Sequence, residues 1–118
     1  MISIQIIIVI LFTHWVADFV FQTQNQAVNK SISIKTLLSH TIIYAGTWLL
    51  IMPFLIGFFN SLLFVLITFV LHTTMDYVTS RLNSDLWQRS AMHNFFVSIG
   101  LDQYIHLSLL FLTYLLFI

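Results

Sequence analysis

Long apolar stretches divide the chain into four segments that are separated by three short stretches. The first and third of these are polar, and the second is a tight turn, Gly57-Phe-Phe-Asn60. Each apolar stretch approaches the roughly 20 residues that an α-helix needs to cross the hydrocarbon core of a bilayer. At 118 residues the chain has the length of one domain. We therefore expect an all-α fold: a single integral membrane domain, residues 1–118, in which four helices form a bundle. The pattern predicts these helices at about 2–22, 36–57, 60–81 and 93–117.

The composition supports a membrane protein and excludes several other classes. Hydrophobic residues make up 59% of the chain and charged residues 7%, which is too little charge to keep the surface of a domain in water. The net charge is zero, so no basic patch is available for a nucleic-acid partner. The chain has no cysteine, which excludes disulfides and thiolate metal ligands. The expected partner is the lipid bilayer, and the composition indicates no particular oligomeric state.

The basic residues predict how the chain is oriented in the membrane. All four lie in the first and third connecting stretches or at their edges, and by the positive-inside rule these loops face the cytoplasm. Both termini would then lie outside, as in a multi-pass protein of the inner (cytoplasmic) membrane, although four charges leave the inverted orientation open. The basic residues are Lys30, Lys35, Arg81 and Arg89.

Three histidine–aspartate pairs stand inside these apolar segments, each with a spacing of four residues. This spacing places both side chains of a pair on one side of a helix. Because the helices run in alternate directions, the pairs and His40 fall in a common layer towards the cytoplasmic side. Such a layer indicates one shared site. The pairs are His14 with Asp18, His72 with Asp76, and Asp102 with His106.

A divalent metal ion is the simplest partner for this intramembrane cluster. A carboxylate in lipid costs roughly 2.5–3.5 kcal/mol at mid-helix, and a metal offsets that cost. Imidazole and carboxylate together suit zinc and other divalent ions. More candidate ligands are present than the four of a closed zinc site, so we expect one or two ions, with zinc preferred. The candidate ligands are His14, Asp18, His40, His72, Asp76, Asp102 and His106.

Two metal-free interpretations of the same residues stay open. Histidine–aspartate pairs can hydrogen-bond to each other in a bundle interior and serve only to hold helices together. Chains of intramembrane histidine and aspartate also form proton or ion pathways.

The order of the motifs resembles that of a known family. The chain reads His14-x-x-x-Asp18-Phe-Val-x-Gln22, then His40, then His72-x-x-x-Asp76-Tyr-Val-Thr-Ser-Arg81, then Asp102-Gln103-x-x-His106. This order resembles a domain of unknown function found in small multi-pass membrane proteins of bacteria and their phages. It is also distantly similar to bacterial inner-membrane proteins labelled metal-dependent hydrolases. The first resemblance implies the fold and the residue set, and the second implies a hydrolase.

Two functional classes follow from these observations, and the sequence leaves open whether the protein is an enzyme. The first is a membrane-embedded metal-dependent hydrolase of a membrane-associated ester or phosphoester, with Asp18 or Asp102 as the general base. Arg81, Gln22 and Gln103 are its candidate substrate-binding residues, Arg81 for an anionic lipid headgroup. The alternative is a non-enzymatic membrane protein: a metal-locked or His/Asp-paired bundle, a phage or host interaction factor, or an ion- or proton-conducting module.

Overall fold

Helices account for all the regular structure in the computed structural model of the protein, which describes residues 1–118. The predicted all-α class is therefore confirmed. In chain order the elements are α1 (Ile4–Trp15), a π-helical turn (Val16–Val20), α2 (Gln24–Asn29), α3 (Ile34–Thr47), a 3₁₀ turn (Trp48–Leu50), α4 (Met52–Ile56), α5 (Phe58–Gln88) and α6 (Met92–Leu115).

Side-chain caps fix where the first three helices begin. The hydroxyl of Ser3 accepts from the third residue of α1, and Ser33 caps α3 in the same way. At α2, Thr23 and Gln26 form a reciprocal capping box, with bonds of 3.1 and 3.0 Å. Each cap satisfies backbone N–H groups that have no partner inside the helix. The box explains how the polar stretch between the first two apolar segments forms a short helix.

The first apolar helix ends in a π-helical turn that contains Asp18. The backbone N–H of Phe21 donates to the carbonyl of Val16, five residues earlier, at 2.9 Å. A π turn closes its hydrogen-bonded ring over one more residue than an α turn, and here the helix ends directly after it. Asp18 lies in this turn, where it contacts His40 of α3.

Two helices are long and apolar enough to cross a membrane, and these are α5 and α6. A short connection joins them, and they pack against each other. Only 22% and 17% of their most apolar windows are buried, whereas the core helix of a water-soluble protein is mostly buried. α5 continues to Gln88, past the predicted end near residue 81, so Arg81 lies within the helix.

The other two predicted spans correspond to shorter helical pieces. The first predicted span corresponds to one apolar helix from Ile4 to Val20, which is shorter than a candidate membrane span. The second is interrupted after Thr47 by the 3₁₀ turn, and α4 begins with Pro53 in its first turn. Proline has no N–H and is tolerated there, but it cannot continue the helix that precedes it. The structure thus supports two candidate spans, and four continuous spans are not shown.

Polar side chains fill the interior and apolar side chains cover the outside. Of 27 buried residues, 17 are polar or charged, which reverses the distribution of a water-soluble domain. The apolar core is small and aromatic, with Tyr44, Trp48 and Phe64 packed edge to face at centroid distances of 6.2 and 5.8 Å. The interior therefore encloses a polar site, bounded on one side by these rings.

Gly57, between α4 and α5, should tolerate no other residue well. Its φ of 81° and ψ of 162° lie in a region that is essentially restricted to glycine. We expect Gly57→Ala to lower the free energy of unfolding by roughly 1–3 kcal/mol through backbone strain. Equilibrium unfolding in mixed micelles, followed by circular dichroism, measures the change.

Gly46→Ala is the matched control, because neither glycine has an atom within 4 Å of an added Cβ. Gly46 lies inside α3, so alanine there should raise the free energy of unfolding by roughly 0.5–1 kcal/mol. Equal stability of the two variants would contradict the strain at Gly57.

Candidate metal centre

Four buried side chains from three elements converge in what we call the four-residue group: Asp18 of the π turn, His40 of α3, and His72 and Asp76 of α5. His40 Nε2 lies 3.1 Å from Asp18 Oδ1 and 3.2 Å from Asp76 Oδ2. His72 Nε2 lies 3.4 and 3.5 Å from the same two oxygens. One ligand atom from each residue falls within 4.8 Å of all the others.

A second cluster, the three-residue group, adjoins the first and consists of Asp76, Asp102 and His106. His106 Nε2 lies 3.1 Å from Asp76 Oδ1 and 3.0 Å from Asp102 Oδ1. Both partners of His106 are thus carboxylates, one from α5 and one from its own helix.

Asp76 belongs to both groups and presents a different oxygen to each. Its Oδ1 faces His106, and its Oδ2 faces His40 and His72. A carboxylate used in this way can bridge two neighbouring cations, as in the carboxylate-bridged sites of helical bundles. The two groups therefore form one centre with two adjoining positions.

The donor atoms fit a divalent cation. The Nε2 atoms of His40 and His72 are only 3.4 Å apart and approach the same carboxylate oxygens. Asp102 Oδ1 is buried and forms no hydrogen bond, although His106 Nε2 is close to it. A buried oxygen left unsatisfied costs free energy, which a cation would recover. These buried His/Asp groups can hold a metal ion.

His14, the seventh predicted ligand, lies beside the two groups and not within them. Its Nε2 donates to Gln103 Oε1 at 2.9 Å, and the neutral ring then accepts at Nδ1 from the Tyr44 hydroxyl at 2.9 Å. Nε2 is 3.7 Å from Asp18. Because both ring nitrogens are already hydrogen-bonded, this position suits a residue that orients its neighbours.

Tyr44 fixes two of these histidines at once. Its hydroxyl bonds to His14, and its ring stacks on His72 with centroids 3.7 Å apart and an interplanar angle of 11°. The phenol is fully buried. The sequence does not predict this role of Tyr44, because the position of a tyrosine in an apolar helix does not indicate which residues it contacts.

A cavity of about 460 Å³ adjoins the centre on the side of α2 and the α5–α6 connection. Asp18 and Asp102 line it, one from each group. Two of the predicted substrate-binding residues, Gln22 and Gln103, line it as well. The centre is therefore reached from an open cavity and is not sealed in the core.

The family model described as "Protein of unknown function (DUF3307)" matches residues 6–118. The chain belongs to this family. No curated protein and no solved structure matches the chain. The DUF3307 match includes every residue of both groups, and the family description assigns no reaction to them.

Arg81, the third predicted substrate-binding residue, does not line the cavity of this DUF3307 protein. Its guanidinium lies over the Tyr77 ring at 3.7 Å and donates to the Tyr77 carbonyl at 2.9 Å. Arg81 makes these contacts because α5 continues past it. The residue follows Tyr77 by about one helical turn, and its guanidinium therefore stacks on the Tyr77 ring. The structure therefore does not place Arg81 at this cavity, and its predicted contact with an anionic headgroup stays a prediction.

Lys30 occupies the place that was expected of Arg81. Its Nζ donates to Asp76 Oδ2 at 3.0 Å, and the residue lines the cavity. From the sequence, Lys30 predicts only the orientation of the chain in the membrane, through the positive-inside rule. The available signal was its place in the first polar stretch, at the same membrane end as the aspartates, but its contact with Asp76 depends on the fold.

The shared position of Asp76 predicts unequal losses of metal among the aspartate variants. Asp76→Asn should cause the largest loss, because it removes a charged ligand from both groups. Asp102→Asn should retain most of the metal, because the four-residue group and the Asp76–His106 pair stay in place. Elemental analysis of protein purified without chelator measures the ratio of metal to chain.

Asp85→Asn is the control for this series, since Asp85 is exposed and pairs only with Arg89. Its metal content should equal that of the wild type. If Asp76→Asn also retained the full wild-type metal content, Asp76 would not be a shared ligand.

Proposed function

We propose that the protein is a membrane-embedded metal-dependent hydrolase, with zinc as its preferred metal, that acts on a membrane-associated ester or phosphoester. The observation that carries this proposal is the cavity, which reaches both Asp18 and Asp102. A purely structural metal lock needs no such opening. An ion pathway would need ionisable groups along the helices, and α5 has none before His72; its buried polar residues there are Ser61 and Thr68.

The two groups suit different roles. Four protein ligands complete the coordination of a structural zinc ion, whereas catalytic zinc has three and keeps one position for water or substrate. The four-residue group fits the first description. In the three-residue group, Asp76 and His106 would hold the catalytic ion and leave positions open, and Asp102 would stay free of it. A bound ion supplies Lewis acidity, by which it polarises the scissile group and makes water a better nucleophile.

Asp102 is the residue best placed to act as the general base. Its side chain is 12% exposed, compared with 5% for Asp18 and 3% for Asp76. Its Oδ2 contacts only Gln103, at 3.2 Å, so this oxygen is not engaged by a histidine. Asp18 also lines the cavity, but two histidines hold its Oδ1, which makes it the second choice.

In the proposed reaction the oxygen of a water molecule bonds to the acyl carbon or the phosphorus. One proton of the water passes to Asp102. The bond to the leaving oxygen breaks, and its electron pair stays on that oxygen. The proton held by Asp102 then returns to the leaving oxygen, so the carboxylate is regenerated.

The proposed location is the inner membrane, with the first and third loops in the cytoplasm and the termini outside. The apolar exterior and the positions of the basic residues support it. α5 has 31 residues, or roughly 46 Å at the helical rise. This exceeds the ~30 Å hydrocarbon core. One end therefore projects, and Trp87 near that end is typical of the interface.

Labelling of single cysteines tests this orientation in a chain that has no cysteine of its own. Ile32→Cys, in the first loop, should react with a membrane-impermeant maleimide only after the cells are opened. Asn60→Cys, near the start of α5, should react in intact cells. The reverse pattern would show the inverted orientation.

Replacing the general base should separate activity from metal binding. Asp102→Asn keeps the shape of the side chain and loses the base, so hydrolysis should fall by roughly 10²–10⁴-fold. Thermal stability and total metal content should change little, because Asp76 and His106 remain in place. Hydrolysis of 4-nitrophenyl butyrate and 4-nitrophenyl phosphate by the zinc-loaded protein in micelles gives the rates.

Asp85→Asn again serves as the control and should retain full activity. Asp18→Asn should lower metal content and stability together, since metal binding and folding are linked. Parallel loss of metal and stability in the variants of Asp18, Asp76 and Asp102 would instead indicate a structural centre. Absence of metal-dependent hydrolysis by the wild type would contradict the proposed function.

A further inference from the structure

Lys30 is the only lysine or arginine that contacts the metal centre. Its ammonium lies 3.0 Å from Asp76 Oδ2, and its side chain is 18% exposed. The residue also lines the cavity, so a fixed positive charge stands where the cavity meets the centre. The other basic side chains are engaged elsewhere or exposed: Arg81 with Tyr77, Arg89 with Asp85, and Lys35 at the surface.

The charges of the filled centre favour a particular ligand. Histidines bind metal in the neutral form, so the fixed charges come from three aspartates, Lys30 and the metal. Two divalent ions and the ammonium outweigh the three carboxylates by two positive charges. Leaving such an excess unpaired in a buried site is costly. A phosphate monoester, with a charge of roughly −1.5 to −2 at pH 7, balances it, whereas a neutral ester does not.

The walls of the cavity provide further partners for a phosphate and a separate surface for an apolar group. Ser80 lines the cavity, and its buried hydroxyl has no hydrogen-bond partner. It can donate to a phosphate oxygen. On the apolar wall, the rings of Trp87 and Phe95 lie 5.1 Å apart, and Phe19 adds a third ring. The cavity thus combines polar and apolar surfaces, as an amphiphilic molecule requires.

From these features we infer that the cavity binds a phosphate monoester and that Lys30 is the residue that recognises its charge. This inference rests on the proposed hydrolase function and names its substrate class. In the reaction, the water oxygen bonds to phosphorus and the ester P–O bond breaks with its electron pair on the alcohol oxygen. That oxygen takes the proton held by Asp102. The products are an alcohol and inorganic phosphate.

Binding measurements on the full-length, zinc-loaded protein in dodecyl maltoside micelles test the inference. Dioleoyl phosphatidic acid is the lipid probe, glycerol 3-phosphate is the water-soluble probe, and dioleoylglycerol is the neutral comparison. Titration calorimetry gives the affinity of each for the wild type, Lys30→Gln and Lys35→Gln. Elemental analysis gives the zinc content of the same samples.

Lys30→Gln should weaken the binding of phosphatidic acid by roughly ten- to a hundred-fold, because a charge-assisted hydrogen bond is lost. Its zinc content should equal or exceed that of the wild type, since the ammonium no longer competes for Asp76. Lys35→Gln is the matched control and should bind like the wild type. Preference for phosphatidic acid over glycerol 3-phosphate would identify a lipid source, and equal affinity would identify a soluble one.

Equal affinity of the wild type for phosphatidic acid and dioleoylglycerol would overturn the inference, even if Lys30→Gln failed to fold. Unchanged phosphatidic acid binding by a folded Lys30→Gln variant would overturn it as well. A failure of the proposed hydrolase function alone would give a different result. The phosphate monoester would still bind in a Lys30-dependent manner, but no phosphate would be released.

Discussion

The buried carboxylate of Asp76 is the interaction on which the rest of the structure depends. Three histidines and one lysine approach its two oxygens at 3.0–3.5 Å. His72 lies one turn away on the same helix, and Lys30, His40 and His106 come from segments far apart in sequence. A buried carboxylate without such partners would be strongly destabilising. The chain must therefore bring α3, α5, α6 and the Lys30 segment to one point. The packing of these elements follows from the need to satisfy one negative charge.

This requirement also explains why the protein is polar inside. The ring of Tyr44 and the aromatic core close one end of the centre, and the cavity opens at the other. In the proposed membrane location, the apolar exterior of α5 and α6 would contact the hydrocarbon of the bilayer and would need no interior counterpart. A soluble domain gains stability from apolar burial. Here hydrogen bonds and ionic contacts hold the helices together, in keeping with helix association in lipid.

The sequence predicted the helical class, and six of its seven candidate ligands fall into the two groups, because a four-residue spacing acts within a single helix. It did not predict Lys30 at Asp76 or Tyr44 on His72, since these contacts depend on how separate helices pack. The extension of α5 past Arg81 was hidden because its last turns are polar and contain Asn83, Ser84 and Asp85, which are weak helix formers. Contacts with α6 stabilise these turns: Ser98 Oγ donates to Asn83 Oδ1, and Trp87 packs on Phe95. Such contacts depend on how the two helices pack.

The π-helical turn has a consequence for how the centre and its cavity are connected. The turn closes its hydrogen-bonded ring over one residue more than an α turn would, and the helix ends directly after it. Asp18 within it and Gln22 just beyond it both line the cavity. Deleting one residue from the turn would change the backbone that carries Asp18 and the point at which the chain leaves the helix towards Gln22. The length of this one turn therefore links a ligand of the centre to a wall of its cavity.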